Sequence, residues 1–158
     1  MTPGTQPSRP SRRGYTLVEL VIVVLLIAVL ASIAVPSTVD LVSQANERTV
    51  VTQVREIFNA AELYRARHGE WPRNAPQWSF PEDFAGMLPR DVFTDPSPIG
   101  DAYDWNGPGT GAPTIGVSIE SVSLATASSI DELFDDGELS SGWVTRSSGY
   151  LNFELAPR

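Results

Sequence analysis

The side chains that could do chemistry in this chain are almost all carboxylates and guanidinium groups. The 158 residues include 19 acidic and 11 basic residues, and every basic residue is an arginine. The absence of cysteine excludes a disulfide, a zinc knuckle and a thiol nucleophile, and a single histidine, His68, excludes a multi-histidine metal site. We therefore expect no enzyme. We also expect no nucleic-acid partner, because the net charge is −8 and binding to a polyanion needs a basic surface.

A glycine turn near the C-terminus is surrounded by carboxylates. Asp135, Asp136 and Glu138 flank Gly137. Hard cations such as Ca²⁺ take several oxygen ligands from loops of this kind, so the sequence makes Ca²⁺ a candidate cofactor and the three acidic residues its candidate ligands. The spacing of an EF-hand loop is absent, and acidic turns also occur as plain solvated surface. Both interpretations stay open at this point.

An apolar run near the N-terminus carries one carboxylate, Glu19. Over residues 20–35 only Ser32 is polar, and counting back to Tyr15 gives 21 residues, close to the roughly 20 that a helix needs to cross a bilayer. Residues 1–14 contain three arginines and no acid. Because the positive flank of such a run stays in the cytoplasm, we expect the C-terminal part to lie outside it. The three arginines are Arg9, Arg12 and Arg13.

Glu19 is the anomaly of this run, because a carboxylate in an apolar helix needs a compensating partner. One interpretation places Glu19 near the membrane interface, where it reaches back to Arg12 or Arg13. The other has it neutralise a positive group formed at the same depth, such as a new N-terminal amine. Residue types alone leave both open.

The residues around Glu19 resemble a known processing signal. Arginines followed by Gly14, the sequence YTLVE at 15–19 and an apolar run resemble the class III signal of type IV pilins and type II secretion pseudopilins. The resemblance implies that an inner-membrane prepilin peptidase cuts after Gly14 and methylates the new N-terminus at Tyr15, where the family usually has Phe. It also implies that Glu19 pairs with an N-terminal amine in the filament, and that Pro36 stands where many members have proline.

The resemblance and the hydropathy pattern together predict four segments. Residues 1–14 are the leader peptide, 15–36 the transmembrane and assembly half of a long helix, 37–69 its amphipathic half, and 70–158 a globular head with a long loop and antiparallel strands. The expected fold class is α+β: the pilin-like lollipop, one long N-terminal helix packed on a small antiparallel sheet. Apolar residues at helical spacing predict the packing face of the amphipathic half: Val50, Val54, Ile57, Ala61, Leu63 and Tyr64.

The head itself is predicted to contain short elements and a sheet of about three strands. Its second helix should be capped by Ser128 or Ser129, and its aromatic residues, among them Trp78 and Trp105, should pin the long loop to the rest. The elements expected are a short helix over 81–88, a strand over 114–124, a helix over 129–134 and a hairpin of strands 143–146 and 150–155.

These observations predict a structural subunit, a pseudopilin or minor pilin. It assembles through its N-terminal helix into a type II secretion pseudopilus or a type IV pilus. The partners that the resemblance implies are the prepilin peptidase, other pilin or pseudopilin subunits and, before assembly, the inner membrane of a bacterium. The chain crosses that membrane once, with its N-terminus in the cytoplasm.

Two other export signals fit the same residues. Residues 11–17 also look like a twin-arginine signal, and residues 32–34 could serve as an ordinary signal-peptidase site. Either would release a soluble binding domain that begins near Val35, although a carboxylate such as Glu19 is out of place in the apolar core of a signal peptide. A third alternative is a single-pass membrane protein that keeps its leader and does not polymerise.

Overall fold

The computed structural model describes residues 15–109 and 114–157, without the side chains of 33–39, 156 and 157. It divides into two compact units, Met1–Leu41 and Val42–Arg158. The helices are α1 (Leu17–His68), a 3-10 turn (Glu82–Phe84), α2 (Asp91–Thr94) and α3 (Leu124–Phe134), and the strands are β1 (Asp104–Asn106), β2 (Thr114–Ile119), β3 (Val144–Ser147) and β4 (Tyr150–Pro157). An N-terminal helix together with a small antiparallel sheet confirms the α+β fold class.

Helix α1 packs its predicted stripe into the core of the second unit. Val50, Val54, Ile57 and Ala61 have no exposed surface, which confirms the 3.6-residue period of that face. Leu63 was predicted to share this face and is instead 42% exposed. At 100° per residue Leu63 lies about 200° around the helix from Ala61, so the prediction was wrong for that position.

The end of α1 is set by glycine. Gly69 has a φ of +79°, a left-handed conformation that glycine adopts without steric cost. Its N–H donates to the carbonyl oxygen of Arg65 at 2.8 Å, which closes the last turn of the helix as the sequence predicted.

The sheet has four antiparallel strands in the order β1-β2-β4-β3. The sheet has one strand more than the roughly three predicted, because β1 lies in the stretch interpreted as a long loop. Strand β1 is three residues long, too short to show an alternating pattern. The predicted hairpin of β3 and β4 is confirmed, with Ser147 opposite Tyr150. Its two loop residues, Ser148 and Gly149, have φ values of +51° and +90°, as a tight hairpin turn requires.

Helix α3 begins five residues before its predicted start. Ser123, rather than Ser128 or Ser129, is its N-cap, and the Ser123 hydroxyl accepts the Thr126 N–H at 3.2 Å. Strand β2 ends at Ile119, so the prediction that it reached residue 124 was wrong. The apolar residues of 122–124 belong to the approach and first turn of α3.

The predicted helix over 81–88 is limited to the 3-10 turn. Ala85 has an extended ψ of 128° and Gly86 a φ of +77°, and both leave the helical region of backbone conformation. The acidic start after Pro81 was therefore predicted correctly, but the chain leaves the helix after one turn.

Aromatic residues of the long loop form one side of the core. Phe84 stacks on Phe93 with ring centroids 5.6 Å apart, and it meets Trp105 edge-on at 5.2 Å. The Trp105 indole N–H donates to the carbonyl oxygen of Pro72 at 3.0 Å. These contacts confirm the pinning role predicted for Trp105, whereas Trp78 is 45% exposed and does not share it.

Candidate functional sites at the helix start and the acidic loop

The start of α1 is held by a reciprocal cap between Thr16 and Glu19. The backbone N–H and the hydroxyl of Thr16 both donate to Oε2 of Glu19, at 2.9 and 3.0 Å, and the Glu19 N–H donates to Oγ1 of Thr16 at 3.2 Å. This is the capping box, in which two side chains three residues apart satisfy free N–H groups of the first turn.

The cap leaves part of the Glu19 carboxylate available. Both bonds from Thr16 end on Oε2, so Oε1 keeps its capacity to accept from a positive group. The arrangement can therefore start the helix and hold a charge partner at the same time. Tyr15, just before α1, is 81% exposed. The remaining predicted residues of this region lie outside the described residues, or their side chains do: Arg9, Arg12, Arg13, Gly14 and Pro36.

The first turns of α1 expose a continuous apolar surface. Side chains from Leu17 to Leu30 are mostly apolar, and their exposed fractions run from 46% at Val21 to 79% at Leu17. Apolar patches of this extent usually mark a contact surface. No helix among the residues described carries an apolar stretch long enough to span a membrane.

The acidic loop after α3 brings three carboxylates together, and they are not quite the predicted three. One oxygen each from Asp131, Asp135 and Asp136 lies within 4.8 Å of the others. Asp135 accepts the Trp143 N–H through Oδ2 and Asp136 accepts the Glu138 N–H through Oδ1, at 2.9 Å for the second bond. These bonds fold the loop back toward the start of β3.

Asp131 is the member of this group that sequence reasoning missed. It has no exposed surface, and neither of its carboxylate oxygens has a hydrogen-bond partner in the described structure. Burial raises the pKa of Asp131, and the negative charges of Asp136 and Asp135 raise it further. A signal for it was present in the sequence, since Asp131 and Asp135 are four residues apart at the end of a predicted helix and so share a face.

Glu138 was predicted as a ligand but does not join the group. Its Oε1 accepts the Ser140 hydroxyl at 2.8 Å, and its side chain is exposed. The part of the acidic loop able to hold a hard cation is therefore the set of Asp131, Asp135 and Asp136, in which a buried carboxylate without a partner faces two further carboxylates.

In comparison with known proteins, the N-terminal region of the chain matches a family model. Residues 9–35 match the family described as the prokaryotic N-terminal methylation motif. The chain is 31% identical over 84 residues to a type IV major pilin protein of Neisseria gonorrhoeae, covering 51% of each chain. It is 33% identical over 63 residues to a fimbrial protein of Neisseria meningitidis serogroup A, covering 40% of this chain and 37% of that protein.

The similarity to these relatives covers only part of each protein. The matched stretch spans about half the length, or less, of these curated relatives, and no solved structure matches the chain. The methylation motif contains Gly14, Tyr15 and Glu19. These findings confirm the predicted resemblance of the chain to type IV pilins.

Proposed function

We propose that this chain is a structural subunit, a pseudopilin or minor pilin, of a filament assembled through helix α1. The observation that carries the proposal is the N-terminal methylation motif over residues 9–35. Within that motif Gly14 is the residue before the cut, and Tyr15 becomes the methylated N-terminus. The curated relatives are named as pilin and fimbrial proteins, which supports a structural rather than an enzymatic role.

In this proposal residues 15–36 cross the bacterial inner membrane once before assembly. The leader, with its three arginines, stays in the cytoplasm, where the prepilin peptidase removes it. The apolar run of residues 20–35 supports the proposal because only Ser32 interrupts it. The apolar side chains exposed on the first turns of α1 are then covered by lipid before assembly and by neighbouring helices after it.

Glu19 is proposed to pair with the N-terminal amine of its own or the preceding subunit. The capping box supports this role because it fixes the carboxylate at the first turn while leaving Oε1 free to accept. An ion pair in an apolar environment is strong only when both partners are held in good geometry, and Thr16 supplies that constraint.

The experiment that tests the proposal is the intact mass and N-terminal sequence of the protein isolated from its own membranes. The expected chain begins at methylated Tyr15, and Gly14→Glu blocks the cut, whereas Gly4→Glu in the same leader leaves it unchanged. A chain that begins near Val35 would instead make the protein a soluble exported domain. An uncut chain with native Gly14 would leave only a membrane anchor, and either result would overturn the proposal.

A second proposal concerns the acidic loop, which we propose binds Ca²⁺ through Asp131, Asp135 and Asp136. The specific observation that favours it is Asp131, whose buried oxygens have no partner in the described structure. A buried carboxylate without a partner is costly, and a hard cation offsets that cost with the oxygens it prefers.

Thermal unfolding of the full-length chain in a non-ionic detergent, with and without Ca²⁺, tests the cation proposal. A ligand that binds only the folded state raises the unfolding temperature, so we expect a rise of several degrees that Asp131→Asn abolishes. Glu138→Gln is the matched control and should keep the rise. The proposal fails if Ca²⁺ gives no shift, or if Glu138→Gln removes the shift and Asp131→Asn does not.

A further inference from the structure

The face of the sheet opposite the core is a shallow cup lined by polar side chains. Trp105 is buried in the core, whereas its neighbours in β1, Asp104 and Asn106, are only half-buried and lie on the other face. One row across the strands pairs Asp104 with Ser118, Ser118 with Asn152 and Asn152 with Thr145. The cup has a volume of about 360 Å³, at the lower end of the range for small-molecule sites.

The amide donors in this cup are already used within the protein. Nδ2 of Asn106 donates to Oγ of Ser118 at 2.9 Å and to the carbonyl oxygen of Asp104 at 3.4 Å. Nδ2 of Asn152 donates to Oγ of Ser147 at 3.2 Å and to the carbonyl oxygen of Thr145 at 3.5 Å. An asparagine that donates internally still has its carbonyl oxygen, which can only accept. The capacity left at the two amides is therefore for a ligand that donates.

The charged side chains that line the cup are all acidic. Asp104 and Glu154 line it, both half-buried, and none of the described side chains that line it is basic. Burial raises the pKa of Asp104, because nothing in the described structure offsets the lost hydration of its carboxylate. The pKa of Tyr150, at the rim, is raised by the nearby Glu120 carboxylate, with smaller contributions from Asp104 and Asp101.

We propose that this cup binds an organic cation through a guanidinium or ammonium group, with Asp104 and Glu154 as its charge partners and the amide oxygens of Asn106 and Asn152 as acceptors. Such a group carries positive charge and has only donors, which matches a surface of negative charge and free acceptors. An anion is repelled by the two carboxylates. The inference is independent of filament assembly.

Two sources could supply this group. One is a free small molecule that ends in a guanidinium or ammonium group. The other is an arginine of a second copy of this chain. Arg48 and Arg67 on α1 are both exposed, and neither forms an ion pair among the described residues. The shared chemistry is the cationic group, and the two sources are separated by the dependence of the signal on protein concentration.

The test uses the full-length chain in a non-ionic detergent and the side-chain amide NMR signals of Asn106 and Asn152. The probe is n-butylguanidinium, and its neutral isostere n-butylurea is the matched control. We expect n-butylguanidinium alone to shift both signals in a saturable way. We expect Asp104→Asn to weaken its affinity about tenfold or more, as loss of a partly desolvated charge partner does. Glu132→Gln, an exposed acid on α3, should leave the affinity unchanged.

Three results would overturn the proposal: no shift with n-butylguanidinium, an equal shift with n-butylurea, or an affinity that Asp104→Asn leaves unchanged in a variant with native-like spectra. Spectra without any probe, recorded over a range of protein concentrations, then identify the source. Shifts of the same two signals at high concentration, lost in the double variant Arg48→Gln and Arg67→Gln, indicate a second copy. Signals independent of concentration indicate a free cation.

Discussion

The two units of the chain treat their apolar and acidic side chains in opposite ways. In the first unit the apolar side chains of α1 are exposed, with Val21 at 46% and Leu17 at 79%, whereas Ile57 in the second unit has no exposed surface. The carboxylates show the opposite pattern of exposure. Glu19 is exposed and accepts two hydrogen bonds from Thr16, while Asp131 is fully buried and its oxygens have no partner among the described residues.

This difference identifies one unsatisfied feature in each unit. The first unit satisfies its polar groups locally, through the capping box, and leaves an apolar surface that water solvates poorly. The second unit closes its apolar core and leaves the buried carboxyl group of Asp131 without a hydrogen-bond partner among the described residues. We propose that helices of other subunits complete the first unit and that a cation completes the second.

The charge of Glu19 offers the largest test of this comparison. Glu19→Gln keeps an oxygen that can accept from Thr16 but removes the negative charge, so we expect filament formation to fall about tenfold or more while processing continues. Asp40→Asn removes another exposed carboxylate from the same unit and should assemble normally. The sheared-filament fraction measures assembly, and N-terminal sequencing measures processing. Normal filaments with Glu19→Gln would show that the charge has no role in assembly.

Two variants of α1 test the difference between a buried and an exposed apolar side chain within the second unit. Ile57→Ala leaves a cavity in the core and should lower the free energy of unfolding by about 2–5 kcal/mol. Leu63→Ala, at a position 42% exposed, should change it by less than about 0.5 kcal/mol. Chemical denaturation of the full-length chain, followed by tryptophan fluorescence, measures both. Equal losses would mean that Leu63 is covered in solution.

Substitutions of two glycines test how much the acidic loop contributes to stability compared with an ordinary turn. Gly142 and Gly149 have φ values of +88° and +90°, and a Cβ at Gly142 would collide with Oδ2 of Asp135, whereas one at Gly149 would meet nothing within 4 Å. Gly149→Ala should therefore cost roughly 1–2 kcal/mol from backbone strain alone. Gly142→Ala should cost about 2–4 kcal/mol, because it also displaces Asp135 from the Trp143 N–H. Equal costs in denaturation would show that the bond between Asp135 and Trp143 contributes nothing.

The ion pair of Arg73 and Asp83 adds a pH-dependent test within the second unit. Hydrogen bonds from Arg73 lower the pKa of Asp83, so the contribution is present above the unfolded pKa of about 3.9 and is lost as pH falls through the lower folded value. Asp83→Asn should cost about 1–3 kcal/mol at pH 7 and less at each step below pH 4. Glu82→Gln, in the exposed pair with Arg90, should cost no more than about 1 kcal/mol. A cost of Asp83→Asn that does not change with pH would contradict this account.

The sequence predicted the elements that have a local pattern and missed those that depend on distant contacts. The helix stripe at Val50, Val54 and Ile57 and the hairpin closed by Gly149 are local patterns, and both were predicted correctly. Strand β1 was missed because three residues carry no periodicity, and only pairing with β2 makes them a strand. Glu19 was identified by its contrast with the apolar residues around it.

The candidate cation ligands show the same limit. Asp135 and Asp136 could be selected from their charge and from the glycine that follows them. The four-residue spacing could group Asp131 with Asp135, but the burial that distinguishes Asp131 from the other two is seen only in the tertiary structure. Glu138 has the right charge and spacing, but in the described structure it accepts from Ser140 and lies outside the group of Asp131, Asp135 and Asp136.

The two helix caps give the smallest and sharpest comparison between the units. Ser123 caps α3 in the second unit, and Ser123→Ala should lower the free energy of unfolding of that unit by about 1 kcal/mol, with Ser123→Asp restoring it. Thr16 caps α1 in the first unit. Because Thr16 belongs to the first unit and the buried core lies in the second, Thr16→Ala should leave the unfolding of the second unit unchanged. Denaturation followed by tryptophan fluorescence measures both variants. Equal destabilisation by Ser123→Ala and Thr16→Ala would show that the start of α1 and the second unit unfold as one cooperative structure. The two units would then differ in the exposure of their side chains but not in their stability.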